Sequence, residues 1–200
     1  MCFHCKLTKK TIQIQNRFKA TFDNEEIHIQ EQFNAFEHPK APVITNENPN
    51  KIEFFQWGLI PHWAKDTKIQ NSTLNARIET IKEKPSFRDC VNQRCLIPAD
   101  GFFEWQWLDE KGKKKQKYHI YLPNDELFAF AGLWSKWVDK STGEIFNTYT
   151  ILTTDANPLM AKIHNTKKRM PVILDSSQEK EWLNGSTLIM QNDYLIADII

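Results

Sequence analysis

Between Arg94 and Thr154 the chain is a succession of strand-length apolar runs divided by brief polar turns. Arg94–Ala99 and Gly101–Leu108 are followed by a charged turn, Asp109–Lys115, which contains Gly112. Lys115–Leu122 returns from that turn. Leu127–Val138 and Ile145–Thr154 then flank Ser141-Thr142-Gly143. Runs joined so closely have no room for a crossover helix, so they pair as antiparallel hairpins. Further short strands are expected at Val43–Thr45, Ile52–Leu59 and Met170–Leu174. Helices are expected at Thr8–Ala20, with Thr8 as its cap, at Pro85–Val91, with Pro at its start, and at Asn157–Ile163. Ser176-x-x-Glu179 reads as a capping box for a last helix ending near Asn184. Asn71–Thr80 is polar and reads as a loop entering an extended piece. The predicted fold is α+β: one domain over residues 1–200, built on a curved, mainly antiparallel β-sheet or barrel with short peripheral helices.

The composition supports a packed core. Apolar residues make up 40% and aromatic residues 12% of the 200, including seven Trp and thirteen Phe. A net charge of +1 does not announce a nucleic-acid binder, so any basic surface must come from local segregation of charge. Lys111–Lys117 holds five lysines and reads first as a solvated hairpin tip, second as a nucleic-acid contact. The first twenty residues contain no secretory h-region, and no run approaches the roughly 18 apolar residues of a membrane helix. The expected location is therefore the cytoplasm, with the four cysteines as thiols. Cys2-x-x-Cys5 has zinc-like spacing, but Cys90 and Cys95 do not complete it, so neither metal nor cofactor is expected.

Cys2 follows the initiator Met directly, and removal of Met1 by an aminopeptidase leaves a terminal cysteine. An α-amine titrates near pH 7.7–8.0 and a free thiol near 8.5, so both are partly nucleophilic at neutral pH. On adjacent carbons they can capture an aldehyde. The amine forms an imine, and the sulfur closes a five-membered thiazolidine.

Four other stretches carry more polar detail than packing requires. Glu104 lies between Phe103 and Trp105, so alternation places it on the face opposite those aromatics. If that face is interior, burial raises its pKa toward the range of a general acid or base. Its commoner reading is an exposed strand glutamate. Likewise His164 reads singly as a surface or capping histidine, Asn75 as a turn residue and Arg77 as half of an ion pair.

Taken together the motifs resemble the SOS-response-associated peptidase (SRAP) family. The pieces are Met1-Cys2, Trp57–Trp63, Asn75-Ala76-Arg77-Ile78-Glu79-Thr80, Arg94–Ala99 with Gly101 to Trp105, Ala131-Gly132-Leu133-Trp134, Thr150–Asn157, and His164 with Arg169-Met170-Pro171. They cover the chain from Cys2 to about Leu183. The resemblance implies one SRAP domain that traps abasic sites in single-stranded DNA as a covalent thiazolidine, in the DNA damage response. It implies Cys2 as nucleophile and Asn75 as the group orienting the terminal amine. Glu104 would move protons in sugar ring opening and closing, and His164 would assist the imine chemistry near the phosphate. Arg77 would hold the DNA backbone, with Trp63, Lys168 and Arg169 as further DNA contacts. The chain has Phe3-His4 where the family often has Gly-Arg, and Ala64 follows Trp63 where many members carry a second aromatic.

The expected partner is single-stranded DNA with abasic sites, met by a monomer that is nucleoid-associated when bound. Two other readings stand beside this one. The first is a thiol autopeptidase that removes residues preceding Cys2, with His164 as its base. The second is a non-catalytic single-stranded DNA-binding module.

Overall fold

The computed structural model describes residues 2–23, 31–186 and 194–200. In chain order the elements are β1 (His4–Lys6), α1 (Thr11–Phe18), β2 (Thr21–Phe22), β3 (Gln32–Asn34), β4 (Lys40–Thr45), β5 (Lys51–Trp57), β6 (Asn75–Arg77) and β7 (Arg94–Ala99). Then follow β8 (Gly101–Trp107), β9 (Lys115–Tyr121), β10 (Phe128–Val138), β11 (Ile145–Asp155), α2 (Pro158–Ile163), β12 (Arg169–Pro171), β13 (Ile173–Leu174), α3 (Ser176–Leu183) and β14 (Ile196–Ile199).

The strands form two sheets. One runs β14-β9-β8-β1-β3, and the other β12-β11-β10-β7-β4-β5-β2. In the second sheet β5 also pairs in parallel with β11, Thr148 opposite Gln56 and Tyr149 opposite Trp57. That pairing closes β5, β4, β7, β10 and β11 into a ring, which removes the open edges of those strands. The expected α+β fold, a mainly antiparallel curved sheet with a barrel and short helices, is what the chain adopts.

Large aromatics pack in the core, and the buried indole N–H groups of Trp57 and Trp182 are paired. Trp57 stacks on Tyr149 with ring centroids 5.8 Å apart, and its Nε1–H donates to Leu74 O at 2.8 Å. Trp182 docks α3 on the wall by donating from Nε1 to Cys95 O at 3.0 Å. Burying such a ring is stabilising only because its N–H finds an acceptor.

Several local expectations shift. Helix α1 starts at Thr11, with Lys10 at its cap, because Thr8 is engaged elsewhere. Its backbone N and Oγ1 donate to Asp100 Oδ2 at 2.6 and 2.8 Å, anchoring the N-terminal segment beside β8. Pro85–Val91 is not an α-helix; it makes turns and one 3-10 turn at Arg88–Cys90. The last capping box is offset by one residue. Asp175 caps α3 by accepting from Ser177 N and Gln178 N, and Gln178 supplies the reciprocal bond. Met170–Leu174 divides at Val172: β12 pairs with β11, and β13 pairs with β10. Val172 spans the step, donating to Leu152 O and accepting from Ala131 N, both at 2.9 Å. Strands β1, β3 and β14 were absent from the expected set.

Candidate active site and nucleic-acid interface

The N-terminal segment is held inside the fold. Strand β1 lies between β3 and β8, with His4 opposite both Asn34 and Phe103. This fixes Cys2, which is fully buried, just ahead of the sheet. Its carbonyl accepts a hydrogen bond from Asn75 Nδ2 at 2.9 Å. Asn75 is placed for this by β6, which pairs in parallel with β11 at Ile151. Asn75 Oδ1 is buried without a hydrogen-bond partner among the described residues. A buried acceptor left so costs free energy unless something fills it. The Cys2 sulfur also lies 3.6 Å from that of Cys5, whose thiol is pushed up by burial and by its contact with Cys2.

Glu104 sits in mid-β8 opposite Tyr118 and is only 6% exposed. Its neighbours on the inner face include fully buried Phe102, while Trp105 and Trp107 turn outward and are half-buried. Burial raises the Glu104 pKa. His164 ends α2, whose start is fixed by Pro158 and by Asn157 Oδ1 accepting from Met160 N at 2.8 Å. With burial as the largest cause, its pKa is lowered from the ordinary 6.5 to about 4. His164 Nδ1 accepts from Arg169 N at 3.1 Å. The neutral ring therefore carries its proton on Nε2 and presents it as a donor.

Two clefts meet at Phe3. The first, about 370 Å³, is lined by Phe3, His4, Glu104, Trp105 and His164 among others. The second, about 490 Å³, is lined by Phe3, Asn75, Arg77, Lys84 and Phe87 among others. Glu104 and His164 thus share the first cleft and Asn75 lines the second; the two clefts form one saddle at Phe3, while Cys2, fully buried, lines neither and is tied to Asn75 through its carbonyl. Arg77 is exposed at the end of β6 within the second cleft. Trp63, 47% exposed, donates from Nε1 to Pro85 O at 3.3 Å and so stands at the rim of that cleft. Lys168 is exposed in a left-handed turn at φ 47°.

Arg169, expected as a DNA contact, is instead committed inside the protein. Its guanidinium is held by Glu79 at 2.9 and 2.8 Å, by Asp155 at 2.6 Å and by Thr153 O at 2.8 Å. A 5% exposed arginine so enclosed by carboxylates has no face left for phosphate. Its backbone N–H reaches the site by fixing the His164 ring. Sequence reasoning also missed Phe3, His4 and Trp107 as cleft residues. A signal for some was available: Phe103, Trp105 and Trp107 alternate along β8, opposite a lysine-rich β9.

Among the described residues no group of three or more His, Cys, Asp or Glu side chains converges on a possible metal position. No helix among them is long and apolar enough to cross a membrane.

The family model for SOS response associated peptidase (SRAP) matches residues 1–196. The abasic site processing protein YoqW of Bacillus subtilis is 50% identical over 143 residues, covering 71% of this chain and 61% of that protein. The chain therefore matches less than two thirds of that relative's length. The abasic site processing protein YobE of the same organism is 43% identical over 183 residues, covering 83% of this chain and 81% of YobE. A solved structure of a protein from Bacteroides thetaiotaomicron superposes with a TM-score of 0.89 at 37% identity, covering 100% of this chain and 92% of that one.

Proposed function

The chain belongs to the SOS response associated peptidase family, and we propose that it processes abasic sites by trapping them covalently in single-stranded DNA. The observation that carries the reading is the hydrogen bond from Asn75, which lines the second cleft, to the Cys2 carbonyl. Glu104 and His164 share the first cleft, which meets the second at Phe3, and relatives named as abasic site processing proteins support the same reading.

With Met1 removed, the Cys2 amine attacks C1′ of the ring-opened deoxyribose. The carbinolamine loses one water to give an imine. The Cys2 sulfur then adds to C1′ while the nitrogen takes up a proton, closing the thiazolidine. The partnerless Asn75 Oδ1 is suited to accept from the Cys2 amine and so aim its lone pair. Glu104, with its raised pKa, carries protons between the sugar ring oxygen, the hydroxyl and the nitrogen. His164 donates from Nε2 to the sugar oxygen or the neighbouring phosphate. The free aldehyde is a minor form of the sugar, so a placed proton carrier accelerates capture. Arg77 and Lys84 line the second cleft as phosphate contacts. His164 is a poor base for a thiol peptidase, because Nδ1 is already engaged and burial holds the ring neutral to about pH 4.

The test is the intact mass of N-terminally sequenced protein after incubation with an oligonucleotide carrying one abasic site. The expected mass is that of protein plus DNA less one water. Cys2→Ala and a Met1-retaining variant should give no stable adduct. Undiminished adduct from either would overturn the mechanism.

A further inference from the structure

The saddle continues onto the outer face of β8 and β9. Phe103, Trp105 and Trp107 share that face, opposite His119, Lys117 and Lys115 respectively. The lysines lie over the rings: Lys117 Nζ is 4.3 Å from the Phe103 centroid and 5.7 Å from that of Trp105, and Lys115 Nζ is 5.3 Å from that of Trp107. At the cleft end His4 meets Trp105 edge-on at 4.8 Å. At the far end the hairpin tip adds exposed Lys111, Lys113 and Lys114. Asp109 accepts from the Lys113 and Lys114 backbone at 2.9 and 2.7 Å, which closes the hairpin tip.

We infer that this aromatic–lysine face is an arm of the DNA site, holding the nucleotides on one side of the abasic sugar while the Arg77 cleft holds those on the other. The inference rests on the abasic-site reading, and it assigns part of the DNA path. The half-buried rings of Trp105 and Trp107, with ammonium groups along them, match an unpaired strand, whose bases stack and whose phosphates need cations. The face runs directly into the cleft of Glu104 and His164. From Trp105 to Trp107 it spans about 7 Å at ~3.3 Å per residue, room for roughly two stacked nucleotides at ~3.4 Å each.

The experiment uses two abasic oligonucleotides, one with all its nucleotides 5′ of the lesion and one with all of them 3′. The proteins are wild type, Lys115→Ala/Lys117→Ala, Trp107→Ala and, as a control elsewhere on the surface, Lys136→Ala. Non-covalent binding of an intact oligothymidylate is titrated in parallel at several salt concentrations. The lysine pair should flatten the slope of log K against log salt by about 1.4, or ~0.7 per phosphate contact. Trp107→Ala should weaken binding roughly five- to hundredfold. Both should slow crosslinking with only one of the two oligonucleotides, and the control should change neither. Equal penalties on both oligonucleotides, or an unchanged salt slope, would overturn the arm. The lysine variants touch only exposed or half-exposed side chains, so the result stands even if Trp107→Ala unfolds. Wild-type protein that binds the thymidylate through these lysines yet never crosslinks would sink the covalent reading and leave the arm standing.

Discussion

His164 makes folding stability depend on pH, and the size of the effect can be worked out. Its pKa falls from 6.5 to about 4 on folding. In acid the unfolded chain therefore takes up a proton that the folded protein refuses. Stability is complete above pH 6.5 and declines as pH drops toward 4. Between pH 7 and pH 5 the loss from this one ring is about 1.8 kcal/mol, from the ratio of proton binding by the two states. His164→Gln keeps a side chain that can accept from Arg169 N but cannot titrate. Urea unfolding of both proteins at pH 7 and pH 5 should show wild type losing about 1.8 kcal/mol more than the variant. The contributions of His4 and His119, also lowered by burial, are common to both proteins and cancel. Equal losses would mean that His164 is not held neutral, and the argument that it donates from Nε2 would fall with it.

Arg77→Ala should lower the salt slope of single-stranded DNA binding by about 0.7, measured by titration at several ionic strengths. Arg169→Lys should leave that slope unchanged but lower the urea midpoint, because it keeps the charge and loses the two-pronged contact with Glu79. Gly132→Ala should cost about 1–3 kcal/mol in urea unfolding, since the added carbon meets Ile97 Cδ1, Thr150 O at 2.7 Å and Cys95 Sγ at 2.9 Å inside the barrel wall.

The hairpins of β8–β9 and β10–β11 were legible because alternation and turn residues are local signals. Strand β1 was not. Its three residues have no pattern of their own and become a strand only because β3 and β8 lie on either side. The cap at Thr8 failed for a related reason: its hydroxyl was a sound local candidate, but Asp100, ninety-two residues away, competes for it. The motifs located Cys2, Asn75, Glu104 and His164 without saying how they meet. Arg169 shows the limit most clearly. A basic residue in a basic run looks outward in sequence, yet Glu79 and Asp155 come from separate elements to enclose it.

The two ionisable groups of the cleft are driven in opposite directions by the same cause. Burial favours the neutral form of each, which raises a carboxyl and lowers an imidazole. Across the neutral range their roles therefore separate: the carboxyl is the group brought closer to exchanging protons, and the imidazole is a fixed donor. That division depends on Arg169, whose backbone N–H occupies Nδ1 while its side chain is anchored by Glu79 and Asp155. On the proposed reading, enclosing the arginine withdraws one cation from the DNA face, while its backbone N–H sets the direction in which His164 presents its proton. The cations that this reading leaves to the DNA face are Arg77 and Lys84 on one side of Phe3, and the β9 lysines on the other.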